Sequence, residues 1–274
     1  MEERYKKISK YQVCYWEEGN GPPVILLHGI GASKEWWQYN ILTLAQKYQV
    51  YAPDFIGFGR SDKPRVNYDF NFSNNFLNNF LREFNLQKVS LVGNSMGGLM
   101  ALQFAICFPE KATKLVLVSN VGFGQKLTFI SRIATIFPVG ELAFSIANYH
   151  TTRMLLGRLF YDSRKLPNEL IQKVMEITRL PQTKSIPLFI LRQGVNLKGL
   201  RSEIYQPLIE QISTLKIPTL IVWGKEDKII PVSQAHLGHK LIENSKIHIF
   251  DRCGHVPQIE KAEEFNELIL NFLD

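Results

Sequence analysis

Cysteine is scarce in this sequence, with only Cys14, Cys107 and Cys253 in 274 residues and no CxxC pair. This usage argues against a disulfide framework or a zinc site and is typical of a reducing compartment. The opening MEERYKK is charged and lacks the apolar segment of a secretory signal, so a cytoplasmic location is expected. His236 and His239 lie three residues apart on a predicted helix, but no nearby Cys or carboxylate completes a metal-binding set. We therefore interpret them as part of a solvated helix face.

Internal repeats and low-complexity tracts are also absent from the sequence. Apolar residues make up 45% and charged residues 21%, which is typical of a globular protein with a large core. A chain of 274 residues is long for one domain, but α/β folds of this size commonly form one unit with an insertion.

One stretch without charge, VSLVGNSMGGLMALQFA at residues 89–105, could be read as a membrane span. Extended to Pro109 it reaches 21 residues, nominally enough to cross a bilayer. However, VSLV has the β-branched character of a buried parallel strand, and MGGLMALQFAICF has helical spacing. Gly93 and Asn94 lie at the join, where a membrane span needs no break. The stretch therefore predicts a strand, a tight turn and a helix.

Strand and helix patterns alternate along most of the chain, which indicates an α/β fold with a mostly parallel sheet and helices on both faces. The predicted strands are 11–19 (in an antiparallel hairpin with the segment before it), 23–29, 48–54, 89–92, 114–120, 218–224 and 246–251. The predicted helices are 36–47, 71–84, the segment after 95, and 261–273.

The pattern changes in the middle of the chain. Residues 122–213 show mostly helical periodicity and no convincing buried strand. We interpret this segment as a helical cap inserted into a core formed by residues 1–121 and 214–274.

A candidate nucleophile lies in the charge-free stretch. Active sites in open α/β sheets gather at the carboxyl ends of strands, where this chain places His28, Asp54, Ser95, Asn120 and Asp227. The sequence GNSMG matches the G-x-S-x-G nucleophile elbow and lies between a strand and a helix, as that motif requires. The turn strains the serine backbone, and the flanking glycines avoid collisions with neighbouring elements. Ser95 is therefore the predicted nucleophile.

A serine hydroxyl needs a base, and the base needs an acid to orient it. His255, in FDRCGHVPQIE, follows the last predicted strand and is the candidate base. Asp227, in IVWGKEDKIIP, follows an earlier strand and gives the chain order Ser, Asp, His. Glu226 is the one close rival acid, whereas Asn120, at an alternative acid position, cannot serve.

Two backbone N–H groups are candidates for an oxyanion hole. Met96 offers its N–H at the start of a helix, where the dipole favours negative charge. Ile30, in the HGIGAS loop, is the candidate second donor, and His28 is predicted to tie that loop in place through a side-chain hydrogen bond.

The segments LLHGIGAS, PDFIGFGRSDKP, GNSMGG, WGKEDKIIP and CGHVPQIEKAEEF together resemble the α/β-hydrolase superfamily over residues 20–120 and 216–273. GNSMGG and RCGHVPQIEKAEEFN look closest to the carbon–carbon bond hydrolases that split ring-cleavage products of aromatic degradation. Those enzymes usually carry a glycine–proline pair where this chain has GIGAS, and tryptophan where it has Val256. The front half is more similar to generic esterases and to hydrolases that remove phytol from chlorophyll derivatives. Serine rather than aspartate at position 95 argues against a dehalogenase or an epoxide hydrolase.

The resemblance implies a serine hydrolase that acts on a carboxylic ester or a related acyl substrate with an apolar group, through a Ser-His-Asp triad and an acyl-enzyme. It implies no metal and no organic cofactor. A carbon–carbon bond hydrolase is the main alternative. An acyltransferase or perhydrolase would use the same residues, and a catalytically silent receptor on the same scaffold is a further alternative, because fold does not fix function.

The net charge of +7 is concentrated in the predicted cap. Residues 122–210 contain 12 Lys and Arg against 6 Asp and Glu, whereas the remainder contains 20 against 19. The cap is also apolar, as in LTFISRIATIFPVGELAF (127–144) and TTRMLLGRLFY (151–161). This combination fits a solvated helical surface or a lid that meets an apolar or amphiphilic substrate and, peripherally, an anionic membrane. No nucleic-acid motif accompanies the charge.

Overall fold

The computed structural model describes residues 1–141 and 148–274. Leu142, Ala143 and Phe144, the end of the apolar cap stretch predicted from the sequence, lie outside the described residues. The strands are β1 Arg4–Ile8, β2 Tyr11–Glu18, β3 Pro23–Leu27, β4 Gln49–Pro53, β5 Val89–Asn94, β6 Ala112–Val118, β7 Val195–Asn196, β8 Gly199–Leu200, β9 Thr219–Gly224 and β10 Ser245–Phe250. The helices are α1 Ile41–Leu44, α2 Phe70–Glu83, α3 Met96–Cys107, α4 Phe129–Ile133, α5 Tyr149–Gly157, α6 Asn168–Thr178, α7 Ser185–Gly194, α8 Ser202–Ile212, α9 Ser233–Leu241, α10 Pro257–Glu260 and α11 Ala262–Leu273.

Eight strands form one sheet in the order β1-β2-β4-β3-β5-β6-β9-β10. The β1–β2 and β2–β4 pairs are antiparallel, and every pair from β4 to β10 is parallel. The predicted mostly parallel sheet and the predicted N-terminal hairpin are therefore confirmed. Parallel strands place their carboxyl ends at one edge, so the residues after β3, β5, β6, β9 and β10 come together there.

Helices cover both faces of the sheet because the strand side chains alternate between two cores. In β3, Ile25 and Leu27 enter the core that contains apolar side chains of α2, α3 and α9. Val24 and Leu26 enter the opposite core, with apolar side chains of α1 and α11. A strand that is apolar on both faces thus gives a near-continuous hydrophobic sequence.

The single helix predicted over 36–47 is wrong in detail. The chain forms a short 3-10 helix at Lys34–Trp37 and a separate turn of α-helix at Ile41–Leu44. The side chain of Asn40, buried between them, donates to Gln258 O at 2.9 Å and to Asn266 Oδ1 at 2.8 Å. These contacts to the C-terminal part of the chain fix the break, and local periodicity does not reveal them.

The segment predicted as a cap leaves the sheet after β6 and returns at β9, which is the neighbour of β6. It is mostly helical as expected, but the expectation of no strand is wrong, because β7 and β8 form a short antiparallel hairpin. Two residues per strand are too few to produce a strand pattern in the sequence. The boundaries 122 and 213 stay a prediction. Among the described residues, no helix combines the length and the apolar character needed to cross a membrane.

Candidate active site

Ser95 occupies the tight turn between β5 and α3. Its backbone has φ +56° and ψ −117°, a conformation that is strained for any residue with a side chain. Three hydrogen bonds hold this turn: Ser95 N donates to Val118 O at 2.9 Å, and Ser95 O accepts from Leu99 N at 3.1 Å and from Val121 N at 3.2 Å. The serine is thereby presented at the carboxyl edge of the sheet.

The glycines on either side of Ser95 are required by close backbone approach. A Cβ at Gly93 would lie 2.3 Å from Gly97 O, and a Cβ at Gly97 would lie 2.3 Å from Leu27 O. Both separations are far below van der Waals contact. The collisions predicted from the G-x-S-x-G motif are confirmed. Because glycine has no side chain, the turn can lie this close to β3.

Asp227 and His255 form a buried pair after β9 and β10. Asp227 Oδ2 lies 2.8 Å from His255 Nδ1, and both side chains are buried. The other carboxylate oxygen, Asp227 Oδ1, accepts from Ile229 N at 2.7 Å and from Ile230 N at 3.0 Å. The aspartate is therefore fixed from one side by the backbone and holds the imidazole from the other.

The rival acid Glu226 points elsewhere. Its Oε2 accepts from Cys253 N at 3.0 Å, so it secures the loop that carries His255 without pairing with the imidazole. Asn120 makes a local hydrogen bond to Val121 O. Of these candidates, the geometry joins only Asp227 to His255, and the catalytic role of Asp227 stays a prediction.

The His255 loop is held by the core and by the cap segment. Its backbone N donates to Leu159 O at 2.6 Å, and its carbonyl accepts from Asn94 Nδ2, the residue before the nucleophile, at 3.2 Å. In the part of the chain that the structure describes, no hydrogen bond joins Ser95 to His255. Such bonds are often long in unliganded enzymes and tighten when substrate binds.

Glu260 is a site-supporting residue that the sequence reasoning missed. Its Oε2 accepts from Gly254 N at 2.8 Å and from Tyr161 N at 3.0 Å, and its Oε1 accepts from Asp162 N at 3.0 Å. One buried carboxylate thus ties the residue before His255 to the cap segment. The closing RCGHVPQIEKAEEF contains several acidic residues, and nothing in that pattern distinguishes this one.

Substituting Glu260→Gln should loosen this connection. The NH₂ group of glutamine would replace one carboxylate oxygen and face backbone N–H donors. Buried donors would then lack an acceptor, which costs about 1–3 kcal/mol of stability. We expect a lower free energy of unfolding in urea and a lower kcat, with KM affected less. Glu263→Gln, at an exposed position of α11, is the matched control and should change neither. An unchanged stability and kcat in Glu260→Gln would contradict this role.

The loop after β3 is fixed by His28. Phe55 N donates to His28 Nε2 at 3.0 Å, so the ring proton is on Nδ1, which donates to Gly29 O at 2.8 Å. Burial lowers the pKa of His28, which keeps the ring neutral at neutral pH. The interpretation of His28 as a structural residue agrees with this geometry. A Cβ at Gly29 would lie 3.2 Å from Ser95 Cβ, so the loop passes directly beside the nucleophile.

A buried ion cluster anchors the far end of that loop. Lys34 is fully buried, and its ammonium lies within 3.4 Å of carboxylate oxygens of Glu3, Glu35 and Asp54. Burial alone would lower the pKa of Lys34, but the neighbouring carboxylates outweigh it and raise that pKa. Arg60 extends the cluster by pairing with Glu35 at 2.8 Å and with a carboxylate of helix α6 at 2.7 Å.

A cavity of about 590 Å³ opens above Ser95. Both predicted oxyanion-hole residues, Ile30 and Met96, line it together with Ser95. Further apolar lining comes from both sides of the predicted cap boundaries: Leu99, Met100, Val121, Leu127, Ile190, Val195, Leu200, Ile204, Ile229 and Ile230. The arrangement presents an apolar space to a nucleophile and two backbone donors, whose catalytic roles stay predictions.

The charged residues of the cavity lining are acidic. Asp69 and Glu203 line it at exposed positions, and no Lys, Arg or His is among its described lining residues. Residues 142–147, which the structure does not describe, have the sequence LAFSIA and include no basic residue. Within residues 1–141 and 148–274, no group of three or more His, Cys, Asp and Glu side chains could hold a metal ion.

Comparisons with known proteins assign the family. The family model for the alpha/beta hydrolase fold matches residues 22–262. The 2-hydroxy-6-oxo-6-(2'-aminophenyl)hexa-2,4-dienoic acid hydrolase of Metapseudomonas resinovorans is 34% identical to this chain, over 99% of this chain and 90% of its own length. The chain belongs to the α/β-hydrolase fold family and is a hydrolase close to the carbon–carbon bond hydrolases.

Two solved structures are similar over nearly the whole chain. The meta-cleavage product hydrolase CumD from Pseudomonas fluorescens IP01 superposes with a TM-score of 0.85 at 28% identity, covering 98% of this chain and 97% of CumD. A bacterial membrane phospholipase A, described as a virulence factor, gives the same TM-score and identity and covers 100% of this chain and 86% of the phospholipase. The same architecture thus occurs in a meta-cleavage product hydrolase and in a phospholipase A.

Proposed function

We propose that this protein is a serine hydrolase that cleaves an uncharged carboxylic ester with an apolar group through an acyl-enzyme. The observation that carries the proposal is the strained Ser95, which lines an apolar cavity. The buried Asp227–His255 pair follows strands that end at the same edge of the sheet. A nucleophile, a base and an orienting acid at one sheet edge are the set that acyl transfer requires.

In the proposed reaction, Ser95 Oγ attacks the ester carbonyl carbon while His255 Nε2 accepts the hydroxyl proton. Asp227 stabilises the resulting imidazolium through the hydrogen bond at Nδ1. The N–H groups of Ile30 and Met96 stabilise the oxyanion. Collapse of the intermediate breaks the C–O bond, His255 returns the proton to the leaving alcohol, and water activated by His255 then releases the acid and regenerates Ser95.

The charge of the cavity favours an uncharged ester. The relative from Metapseudomonas resinovorans is named for a dienoic acid, which carries a carboxylate at neutral pH. A carboxylate in the cavity described here would find no lining cation and would lose hydration without a compensating ion pair, at a cost of several kcal/mol. Asp69 and Glu203 would add repulsion. An uncharged ester avoids both penalties.

Carbon–carbon bond hydrolysis is the second candidate, and the 34% identity to a dienoic acid hydrolase favours it. In that reaction Ser95 and His255 would promote ketonisation of a dienoic ring-cleavage product and cleavage between its carbonyls. Parallel assays with p-nitrophenyl esters and with a 2-hydroxy-6-oxo-dienoate separate the two. The ester proposal requires a higher kcat/KM on the best ester, and the opposite order would establish the second candidate.

Ester chain length tests the apolar cavity. Each added methylene that enters the cavity contributes about 0.8 kcal/mol, which corresponds to about a fourfold rise in kcat/KM per carbon until the cavity is full. We expect this rise in a series of p-nitrophenyl esters from acetate to dodecanoate, followed by a plateau. A flat series would contradict the cavity as the binding site.

A cavity-filling variant supplies the control for this series. Ile204→Phe places a larger side chain in the lining and should move the plateau to shorter esters. Leu42→Phe introduces the same residue at a position that is 58% exposed on α1 and should leave the profile unchanged. The same shift in both variants would mean that chain length is sensed outside this cavity.

A further inference from the structure

Five large apolar side chains of the cap segment face solvent. We call them the rim patch: Phe129, Ile136, Phe137, Val139 and Leu197. Phe129 is 66% exposed, Phe137 75% and Leu197 59%. Single exposed apolar residues are ordinary, but a cluster of large ones marks an interaction surface.

The rim patch draws on two segments of the chain that lie side by side. Arg132, on α4, donates through Nη1 to Leu197 O at 3.1 Å, so the β7–β8 hairpin lies beside α4. The same two segments also face inward, since Leu127, Val195 and Leu200 line the cavity above Ser95. The rim patch therefore borders the wall of the candidate active site.

The charges within this surface are all positive. Residues 126–140 and 195–200 contain Lys126, Arg132 and Lys198 and no acidic residue. Both lysines are exposed. Glu141, the next acidic residue after the first segment, is paired with Arg192. Glu203, three residues after the second segment, is exposed at the cavity. Large apolar side chains among cations complement the headgroup region of an anionic bilayer.

We propose that the rim patch docks this hydrolase on an anionic lipid bilayer. The aromatic and aliphatic side chains enter the boundary between headgroups and acyl chains, and Lys126 and Lys198 contact lipid phosphates. Docking of this kind brings the cavity next to the membrane. The proposal goes beyond the ester reaction and does not depend on it, because it requires neither Ser95 nor turnover.

Vesicle co-sedimentation tests this proposal, with the Ser95→Ala variant so that no lipid is consumed. We expect binding to vesicles that contain phosphatidylglycerol at low salt and much weaker binding to pure phosphatidylcholine. High salt should reduce the binding because it screens the lysine contacts. Failure of Ser95→Ala to bind anionic vesicles at low salt would overturn the proposal.

Substitutions locate the binding surface. The triple variant F129S/F137S/L197S should lower the partition coefficient on anionic vesicles by at least about tenfold. K126Q and K198Q should each lower it by about fivefold, and only on anionic vesicles. Leu42→Ser, which removes an exposed leucine from the core surface, is the control and should bind normally. Each variant with Ser95 restored should keep its activity on a short soluble ester, and this activity verifies that the variant folds. The same assay tests the ester reaction separately from membrane binding.

The other possible occupant of the rim patch is a second copy of this chain. Sedimentation velocity of the same variants distinguishes it. Normal vesicle binding by the triple variant would overturn the membrane proposal. If that variant also dissociates a dimer formed by the parent protein, the rim patch is a self-association face.

Discussion

Ser95→Ala is expected to lower kcat on the best ester by about 10⁶, the effect typical of removing a triad nucleophile. Alanine lacks the attacking oxygen but keeps the Cβ that the turn already accommodates at φ +56°. The melting temperature should therefore change little. The measurement is steady-state turnover of the best p-nitrophenyl ester, together with thermal unfolding followed by circular dichroism.

Ser90→Ala is the matched control for this substitution. Ser90 lies five residues earlier on β5, where its hydroxyl meets the side chain of Thr113 at 2.9 Å, away from the cavity. This variant should keep full activity. Residual activity above about a hundredth in Ser95→Ala would contradict the assignment of the nucleophile.

Asp227→Asn is expected to slow turnover by about 10⁴. The structure gives the reason. Ile229 N and Ile230 N both donate to Asp227 Oδ1, so an asparagine there must point its oxygen at them and its NH₂ at His255. An N–H donor facing Nδ1 forces the imidazole proton onto Nε2, and the ring can then no longer accept the proton of Ser95. The measurement is kcat for the parent and the variant on one ester.

Glu226→Gln serves as the control for the acid. The glutamine oxygen can still accept from Cys253 N, so the loop keeps its hydrogen bond and kcat should change little. If Glu226→Gln is severely impaired while Asp227→Asn is active, the two acidic residues have exchanged roles and the Asp227–His255 pair is only structural.

The sheet and the elbow are predictable from the sequence because each is encoded locally. Val89, Leu91 and Val92 are buried in a parallel sheet, and their stretch has the pattern of a strand. The glycines at 93 and 97 indicate a close backbone approach in their own neighbourhood. The pairing of Asp227 with His255 follows from their positions after two strands that prove to be neighbours. Chain order and sheet topology thus place most of the candidate site.

What the sequence does not reveal depends on contacts between distant segments. Glu260 accepts from the backbone of residues 161 and 162, about a hundred positions earlier, and no local pattern encodes such a partner. The break at Asn40 likewise depends on Gln258 and Asn266. The β7–β8 hairpin has only two residues per strand, which is too short for any periodicity. These features require the folded chain.

The central claim is that Ser95 carries the acyl group during turnover. The most direct test is peptide mass spectrometry of wild-type protein quenched with acid while it hydrolyses its best p-nitrophenyl ester. The tryptic peptide spanning residues 89–111 should gain the mass of one acyl group, localised to Ser95 by fragmentation and missing from Ser95→Ala. An unmodified Ser95 during rapid turnover, or an acyl group on another residue, would contradict the account.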